Sequence, residues 1–150
     1  MIVSITGDIL KADAEALVNT VNTVGTMGKG LALQFKKAFP DNFNAYENAC
    51  IQNELQLGKM FVFDRHTLIN PRYIINFPTK KHWKSDSRYE DIQTGLQDLV
   101  TVIKEYGICS IAITPLGCGL GGLNWNKVNE MILKVFQELP EVNVQLFTPN

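Results

Sequence analysis

Length, composition and charge place this chain among compact globular proteins. It has 150 residues, 45% of them hydrophobic and 19% charged, which indicates one folded domain rather than a disordered chain. Its formal net charge of −1 argues against nucleic-acid binding over the whole surface, although a local basic patch is compatible with it. The 3 cysteines form no CxxC pair, which fits neither a disulfide framework nor a structural zinc site. We therefore expect a reducing, cytoplasmic location. Because there is no secretion signal and no apolar run of about 18 residues, we expect no membrane association.

The first half of the chain alternates strand patterns with helical patterns. Residues 2–5 and 16–22 are short, apolar and rich in β-branched side chains, as buried strands are. A first glycine loop, residues 25–30, follows the second strand. A helical pattern then begins at Leu31 and is interrupted by Pro40. A second helix is predicted from Asp41 to about Asn53.

The second half predicts four strands, two helices and a second glycine loop, residues 117–122. The first two strands are separated by a polar connection and could pair as neighbours. The first helix has apolar residues spaced by three and four, and Gly107 follows it as a C-cap candidate. In chain order the predicted segments are strands 60–63 and 73–77, helix 87–106, strand 110–116, helix 125–139 and strand 142–147.

This alternation predicts a single α/β domain over residues 1–150. Parallel strands need a crossover helix between them, so the expected architecture is a three-layer α/β/α sandwich with a mixed, mostly parallel sheet. Ligands of such sheets bind beyond the carboxyl ends of the strands, which is where both glycine loops fall. The candidate functional site therefore lies at that edge.

Both glycine loops are candidate phosphate-binding sites. Glycine lets backbone N–H groups approach phosphate oxygens, and a following helix N-terminus adds partial positive charge. For either loop alone a tight turn is an equally good interpretation, but two loops at equivalent strand ends favour two phosphates. The first loop is not a Walker A motif, because Leu31 occupies the lysine position. The second matches GxGxxG, yet no acidic residue ends the following strand, which disfavours a dinucleotide dehydrogenase.

Taken together, these motifs resemble the macrodomain family. The resemblance rests on Gly7-Asp8-Ile9, Asn19-Thr20-Val21-Asn22, the first glycine loop and Pro115-Leu116-Gly117-Cys118-Gly119, in the family's order and spacing over essentially all 150 residues. Within the family, the segments ALVNTVNTVGTMGKGLALQFKKAFP, YIINFPTKKHW and PLGCGLGGLNW are most similar to the branch of the terminal ADP-ribose glycohydrolase. That branch includes bacterial antitoxin macrodomains that remove ADP-ribose from thymine in DNA.

The resemblance implies an ADP-ribose site with assigned residues. Asp8 would accept a hydrogen bond from the adenine amine beside the Ile9 backbone, and Asn22 would contact the distal ribose. Each has a structural alternative, since Asp8 could cap a short helical turn and Asn22 could stabilise an Asx turn. The other residues that the resemblance assigns to ADP-ribose binding are Asn19, Gly28, Lys29, Gly30, Leu31, Thr79, Pro115, Gly117, Cys118, Gly119 and Leu120.

The resemblance, together with its position after a buried strand at the ligand edge, makes Lys80 the candidate catalytic residue. Its amine could attack the glycosidic carbon, or its ammonium could stabilise the departing base. The alternative is an ordinary solvated lysine. Cations and rings beside it are typical of contacts with a flipped or single-stranded base, although Trp83 could simply pack under a loop. The DNA-contact candidates are His82, Trp83, Lys84 and Arg88.

The second glycine loop departs from the eukaryotic branch of this family, which has a catalytic aspartate there. No carboxylate occurs between Leu120 and Asn124, so a lysine–aspartate pair is not expected. The resemblance implies a DNA ADP-ribosyl glycohydrolase that reverses a DarT-type toxin. The alternatives are a non-catalytic ADP-ribose reader and a protein-directed ADP-ribosyl-glutamate hydrolase. No cofactor is expected, and no metal, since the only histidines are His66 and His82. We also expect the domain to be excised from a longer chain whose C-terminal region binds the toxin.

Overall fold

A computed structural model describes residues 1–149 of the chain. The strands are β1 (Ile2–Ile5), β2 (Ala16–Asn22), β3 (Phe61–Asp64), β4 (Tyr73–Lys80), β5 (Ser110–Ile113) and β6 (Asn143–Phe147). The helices are α1 (Gly30–Ala38), α2 (Pro40–Ile51), α3 (Tyr89–Tyr106) and α4 (Trp125–Phe136), and a 3-10 turn spans Ile9–Lys11. Within residues 1–149, no helix combines the length and apolar content that crossing a membrane requires.

The strands form a six-stranded sheet in the order β1-β6-β5-β2-β4-β3. Every neighbouring pair is parallel except β3 and β4, which are neighbours as the sequence suggested and pair in antiparallel register. The predicted mixed, mostly parallel sheet is therefore confirmed. Because five strands run the same way, their carboxyl ends meet at one edge of the sheet, and both glycine loops leave from that edge.

The core is divided by the sheet into two sides, as alternating side chains along each strand require. Val18 and Ile75 pack with apolar residues of α3 and α4 on one side. Leu17 and Ile74, which precede them in the chain, pack with Phe35 of α1 on the other side. A neighbouring cluster there is built around Tyr46 of α2. This arrangement confirms the predicted three-layer sandwich.

The helix boundaries differ from the prediction by a few residues. Pro40 begins α2, where its missing N–H costs no helical hydrogen bond, and the predicted interruption after α1 is confirmed. The helix predicted from Ser87 begins at Tyr89, because the backbone of Arg88 before it is extended, with a φ of −124° and a ψ of 141°. Gly107 ends α3 with a φ of 64°, which confirms the predicted C-cap. The last predicted helix ends at Phe136 rather than Leu139.

Two central strands also differ in length from the prediction. β4 continues past residue 77 to Lys80, whereas antiparallel β3 begins at Phe61 opposite Asn76 and pairs with no later residue of β4. Beyond that residue β4 has a neighbour on one side only, which is compatible with Pro78 and its missing N–H. β5 ends at Ile113 rather than Leu116, since Pro115 cannot donate to a strand ladder and the chain turns into the second glycine loop. Both differences shape the ligand edge.

Candidate active site

A cavity of about 1070 Å³ opens at the carboxyl edge of the sheet. This volume lies at the upper end of the usual range for small-molecule sites, which is roughly 300 to 1,000 Å³. Both glycine loops, the end of β4 and the residues after β6 line it. The structure brings together these residues predicted from the sequence: Asp8, Ile9, Asn22, Gly28, Lys29, Gly30, Leu31, Thr79, Lys80, Trp83, Pro115, Gly117, Cys118, Gly119 and Leu120.

Sequence reasoning missed several residues of the cavity wall. Most are immediate neighbours of predicted ones, but residues 147–149 form a separate part of the wall that no motif pointed to. They follow β6, which is parallel to β1 and β5, so the rule that ligands bind at carboxyl strand ends could have found them. The additional lining residues are Gly7, Thr20, Val21, Thr26, Ala32, Gln34, Thr114, Gly121, Phe147, Thr148 and Pro149.

Asp8 lies in the cavity wall and also caps a helical turn. Its Oδ1 accepts a hydrogen bond from the N–H of Leu10 at 3.0 Å, so the structural alternative is present in the molecule. The side chain is exposed and its second carboxylate oxygen has no protein partner among the described residues. A carboxylate can accept several hydrogen bonds, so capping leaves Asp8 able to accept one from a ligand amine. The adenine contact stays a prediction.

Asn22 lies in the cavity wall with its amide turned toward the first glycine loop. Its Oδ1 accepts from the N–H groups of Val24 and Gly25 at 3.1 and 3.2 Å. Its Nδ2 donates to Thr26 Oγ1 at 2.8 Å. The Asx-turn alternative is therefore what this structure contains. The predicted contact with the distal ribose would have to share an amide that already holds the loop.

Asn19 does not line the cavity, and the predicted ligand contact is corrected here. The side chain is fully buried, with Nδ2 3.5 Å from Asn76 Oδ1 and 3.8 Å from Met27 Sδ. Strand alternation puts it on the same face of β2 as Leu17, which packs toward α1. Asn19 thus lies behind the first glycine loop rather than in front of it.

Lys80 lies at the end of β4 with its side chain in the cavity wall. Its Nζ donates to the carbonyl oxygen of Trp83 at 3.0 Å, which fixes the position of the amine. An ammonium group has three N–H donors, so two remain for other partners. The structure therefore presents a positioned amine in the cavity wall, and its role in catalysis stays a prediction.

The residues between β4 and α3, residues 81–88, form a connecting segment that contacts both glycine loops. The Thr23 N–H and hydroxyl donate to the carbonyl of Lys81, each at 3.1 Å. At the other end the Ser87 N–H donates to the carbonyl of Gly121. Lys80 is the last residue of β4, and Trp83 lies in the connecting segment. Hydrogen bonds at both ends of that segment therefore hold these two residues in position.

Trp83 is a half-exposed ring surrounded by cations at the mouth of the cavity. Its exposed fraction is 44%. The Nζ atoms of Lys29 and Lys84 lie 5.3 and 5.0 Å from its ring centroid, and the His82 ring stacks on it at 5.6 Å. Cations at these distances are attracted to the face of an indole ring. Among the described residues this is a basic, aromatic surface next to Lys80.

The other DNA-contact candidates lie outside the cavity. His82 and Lys84 are exposed beside Trp83 but do not line the wall. Arg88 is also exposed, and its Nε lies 3.3 Å from Glu90 Oε2 at the start of α3. An exposed ion pair of this kind contributes little, so it would not prevent Arg88 from meeting another anion. Their contacts with DNA stay predictions.

Cys118 and the acidic residues limit the chemistry at this site. Burial raises the pKa of the Cys118 thiol to about 11, so near neutral pH it is protonated and a poor nucleophile. Its Sγ donates to the carbonyl of Leu116 at 3.3 Å. Asp8 is the only acidic residue that lines the cavity within residues 1–149. No cluster of three potential metal ligands occurs in that range either.

A three-layer sandwich with two glycine loops at the carboxyl edge of its sheet is typical of domains that bind nucleotide phosphates. The profile of the Macro domain family matches residues 18–132 of the chain. Since that match covers more than half of its length, the chain belongs to the macrodomain family.

Individual proteins extend this comparison. The chain is 54% identical over 144 residues to a protein of Mycobacterium tuberculosis named DNA ADP-ribosyl glycohydrolase, which covers 96% of this chain and 41% of that protein. It therefore spans less than half the length of this curated relative. The solved macrodomain of Mycobacterium tuberculosis DarG is 53% identical, with a TM-score of 0.98 over 100% of this chain and 99% of that one. The structure of Thermosipho africanus DarTG in complex with ADP-ribose is 36% identical, with a TM-score of 0.92 over 99% of this chain and 41% of that one.

Proposed function

We propose that this domain is a DNA ADP-ribosyl glycohydrolase that removes ADP-ribose from thymine bases. The observation that carries the proposal is Lys80, a positioned amine in the wall of a cavity that two glycine loops also line. The Mycobacterium tuberculosis relative, 54% identical over this region, carries the name of that activity. A related structure, that of Thermosipho africanus DarTG, was solved with ADP-ribose.

ADP-ribose would occupy the cavity along the edge of the sheet. Its diphosphate would lie against the backbone N–H groups of the two glycine loops, where the N-terminus of α1 adds partial positive charge. Its adenine amine would donate to Asp8, and its distal ribose would then point toward Lys80. Loop amides are neutral donors, so this mode of binding needs neither a metal nor a cofactor.

Hydrolysis breaks the bond between the anomeric carbon of the distal ribose and a thymine nitrogen. The oxygen of a water molecule bonds to that carbon, the electron pair of the broken bond goes to the nitrogen, and a proton restores thymine. Lys80 as an ammonium would donate to the departing base while oxocarbenium character develops, and would recover a proton from the attacking water. The second glycine loop has no carboxylate to act instead.

The base and its DNA strand would meet the surface around Trp83. An unpaired base can stack on the indole ring, and Lys29 and Lys84 supply positive charge for flanking phosphates. His82 and Arg88 would extend this contact along the exposed connecting segment. The biological partner of such an enzyme is a DarT-type toxin that installs the modification, bound through a region outside this chain. Such an enzyme would act in the cytoplasm.

The experiment is to incubate the domain with an oligonucleotide carrying ADP-ribosyl-thymidine and to quantify free ADP-ribose. Lys80→Ala is expected to abolish release, while calorimetry shows ADP-ribose affinity within about tenfold of the parent, or 1.4 kcal/mol. Lys81→Ala is the matched control, since Lys81 is exposed and lies outside the cavity wall. It should keep full activity.

Four outcomes would change the proposal. Full hydrolysis by Lys80→Ala would remove Lys80 from the bond-breaking step. If borohydride reduction traps a covalent adduct between Lys80 and ADP-ribose, Lys80 would act as a nucleophile rather than as an acid. Binding of ADP-ribose without any release, from either DNA or ADP-ribosylated protein, would make the domain a reader. Faster release from glutamate in protein than from thymine would make it a protein-directed hydrolase.

A further inference from the structure

One buried side chain of α2 reaches the first glycine loop from behind the cavity. Tyr46 is fully buried and does not line the cavity wall. Its hydroxyl lies 2.8 Å from the backbone carbonyl of Asn22 and 2.8 Å from Asn22 Oδ1. The Thr26 carbonyl lies at 3.5 Å. The hydroxyl has one proton, so it donates to one of these oxygens at a time, and the two nearest both belong to Asn22.

Asn22 in turn determines the shape of the turn that leads into the first glycine loop. Its Oδ1 accepts from the amides of residues 24, 25 and 26 at 3.1, 3.2 and 3.4 Å. Its Nδ2 donates to the Thr26 carbonyl at 3.1 Å as well as to Thr26 Oγ1. Such a set of bonds requires one rotamer of Asn22, with its oxygen toward the amides. A donor on the far side of Oδ1 stabilises that rotamer.

We propose that Tyr46 is a positioning residue for nucleotide binding, acting through Asn22 to hold the first glycine loop in its ligand-binding shape. The loop residues Gly28, Lys29 and Gly30 lie in the cavity wall directly after this turn. A loop that is already ordered binds without the cost of ordering it, and apparent affinity falls in proportion to the fraction of molecules with an ordered loop. The identity of the nucleotide rests on the proposed function, whereas the loop contact does not.

The surroundings of Tyr46 suit a fixed role of this kind. Burial raises the pKa of its hydroxyl well above the usual range, so it remains a neutral donor wherever the protein is folded. Close packing supports the same turn, because a Cβ placed on Gly25 would lie 3.4 Å from the Cβ of Cys50, one helical turn after Tyr46. The tyrosine and the turn therefore have little room to move apart.

The test is Tyr46→Phe, which removes the hydroxyl and keeps the ring. A net hydrogen bond is worth about 1 kcal/mol, so the dissociation constant of free ADP-ribose should rise about fivefold to tenfold. Hydrogen exchange at the amides of residues 24–26 should accelerate more than exchange in the sheet. The Michaelis constant for the modified oligonucleotide should rise by the same factor, with kcat within about twofold, because ground state and transition state lose the same contact.

Tyr73→Phe is the matched control, because Tyr73 is also a buried tyrosine but packs with α3 on the opposite side of the sheet. It should leave ADP-ribose affinity and loop exchange unchanged. Unchanged ADP-ribose affinity and unchanged hydrogen exchange in Tyr46→Phe would overturn the proposal. Hydrogen exchange that accelerates equally across the whole chain would also overturn it. If Tyr46→Phe folds poorly, Thr26→Val tests the same turn at an exposed residue by removing the nearer of the two acceptors of the Asn22 amide, the Thr26 hydroxyl. That variant should raise exchange at residues 24–26 and weaken ADP-ribose binding, and no change in either would also overturn the proposal.

The proposal for Tyr46 and the proposed function fail in different ways. Loop exchange and free ADP-ribose affinity do not depend on which linkage the enzyme cleaves. A domain that binds ADP-ribose and responds to Tyr46→Phe without cleaving DNA adducts would support the positioning role alone. Absence of ADP-ribose binding in the parent protein, with loop exchange still accelerated in Tyr46→Phe, would reject the proposed nucleotide and overturn the link between loop order and its binding.

Discussion

The two glycine loops lie side by side on the same cavity, but different forces hold them in shape. The turn before the first loop is held by hydrogen bonds from the side chain of Asn22, which Tyr46 buttresses. The second loop has backbone hydrogen bonds instead, such as those of Leu123 N–H to the Gly117 carbonyl and of Ser87 N–H to the Gly121 carbonyl, and it packs closely against Ser87. A Cβ placed on Gly121 would lie 2.4 Å from Ser87 Oγ and 2.5 Å from the Gly117 carbonyl oxygen. Two loops with similar glycine patterns thus depend on different side-chain contacts for their shape.

This difference explains why glycine matters for different reasons in the two loops. At Gly28 in the first loop no atom of residues 1–149 lies within 4 Å of an added Cβ, so the residue leaves room for a ligand rather than for the protein. At Gly121 in the second loop the protein itself occupies the space. Ser87 is also buried with no hydrogen-bond partner for its hydroxyl among residues 1–149. The second loop therefore packs against a buried hydroxyl that makes no hydrogen bond within the described residues.

Gly121→Ala is the variant with the largest expected effect on loop structure. Overpacking of this kind costs about 1 to 3 kcal/mol, which corresponds to a decrease in Tm of roughly 2 to 10 °C for a domain of this size. Affinity for ADP-ribose should fall more than about tenfold, or 1.4 kcal/mol, because the displaced backbone lines the cavity. Differential scanning calorimetry and titration calorimetry measure the two effects.

Gly28→Ala is its control for stability, and its Tm should lie within about 1 °C of the parent because the added methyl meets no protein atom. Combining Gly121→Ala with Ser87→Gly should recover part of the lost Tm, since one of the two clashing groups is then absent. Equal Tm values for the two glycine variants would contradict the contrast between the loops.

The sequence predicted the positions of the loops better than the forces that hold them. Strand periodicity located the ligand edge of the sheet, whereas the choice of Lys80 among the residues near that edge came mainly from the family resemblance. The orientation of Asn19 was missed, since a motif match does not say which face of β2 an asparagine occupies. Tyr46 was beyond prediction for a related reason. Its helical spacing indicates burial, but the partner of its hydroxyl lies 24 residues away in the chain.

The first loop also differs from the second in carrying a cation, Lys29, which contacts Trp83 at the cavity mouth. If this surface binds DNA, cleavage of the modified oligonucleotide should slow severalfold between about 50 and 200 mM salt, because bound counterions are released from phosphates. Binding of free ADP-ribose, held mostly by neutral amides, should change less. Trp83→Ala and Lys84→Ala should impair cleavage by about fivefold or more, whereas free ADP-ribose affinity changes little.

Lys134→Ala is the matched charge control for these variants. Lys134 is exposed in the last turn of α4, at the end of that helix far from the second glycine loop. It should leave both the rate and its salt dependence unchanged, while Lys84→Ala should reduce the slope of log rate against log salt, measured at subsaturating substrate, by about 1. Equal salt sensitivity for DNA cleavage and ADP-ribose binding would argue against a DNA-binding surface here.

Cys118→Ala, in the second loop, has the smallest expected effect. The thiol lines the cavity, but burial raises its pKa from the ordinary 9.0 to about 11, so about 0.1% is thiolate at pH 8. Activity should therefore stay within about twofold of the parent, and iodoacetamide should modify exposed Cys109 much faster than Cys118, as peptide mass spectrometry would show.

The raised pKa of Cys118 also makes stability depend on pH. Because the Cys118 thiol ionises at lower pH in the unfolded chain than in the folded one, its contribution to stability is present below pH 9 and is lost as the pH rises from there toward 11. Cys118→Ala should accordingly reduce the alkaline loss of Tm slightly. Rapid alkylation of Cys118 at neutral pH, with loss of ADP-ribose release, would instead make the second loop a source of chemistry rather than a packed wall.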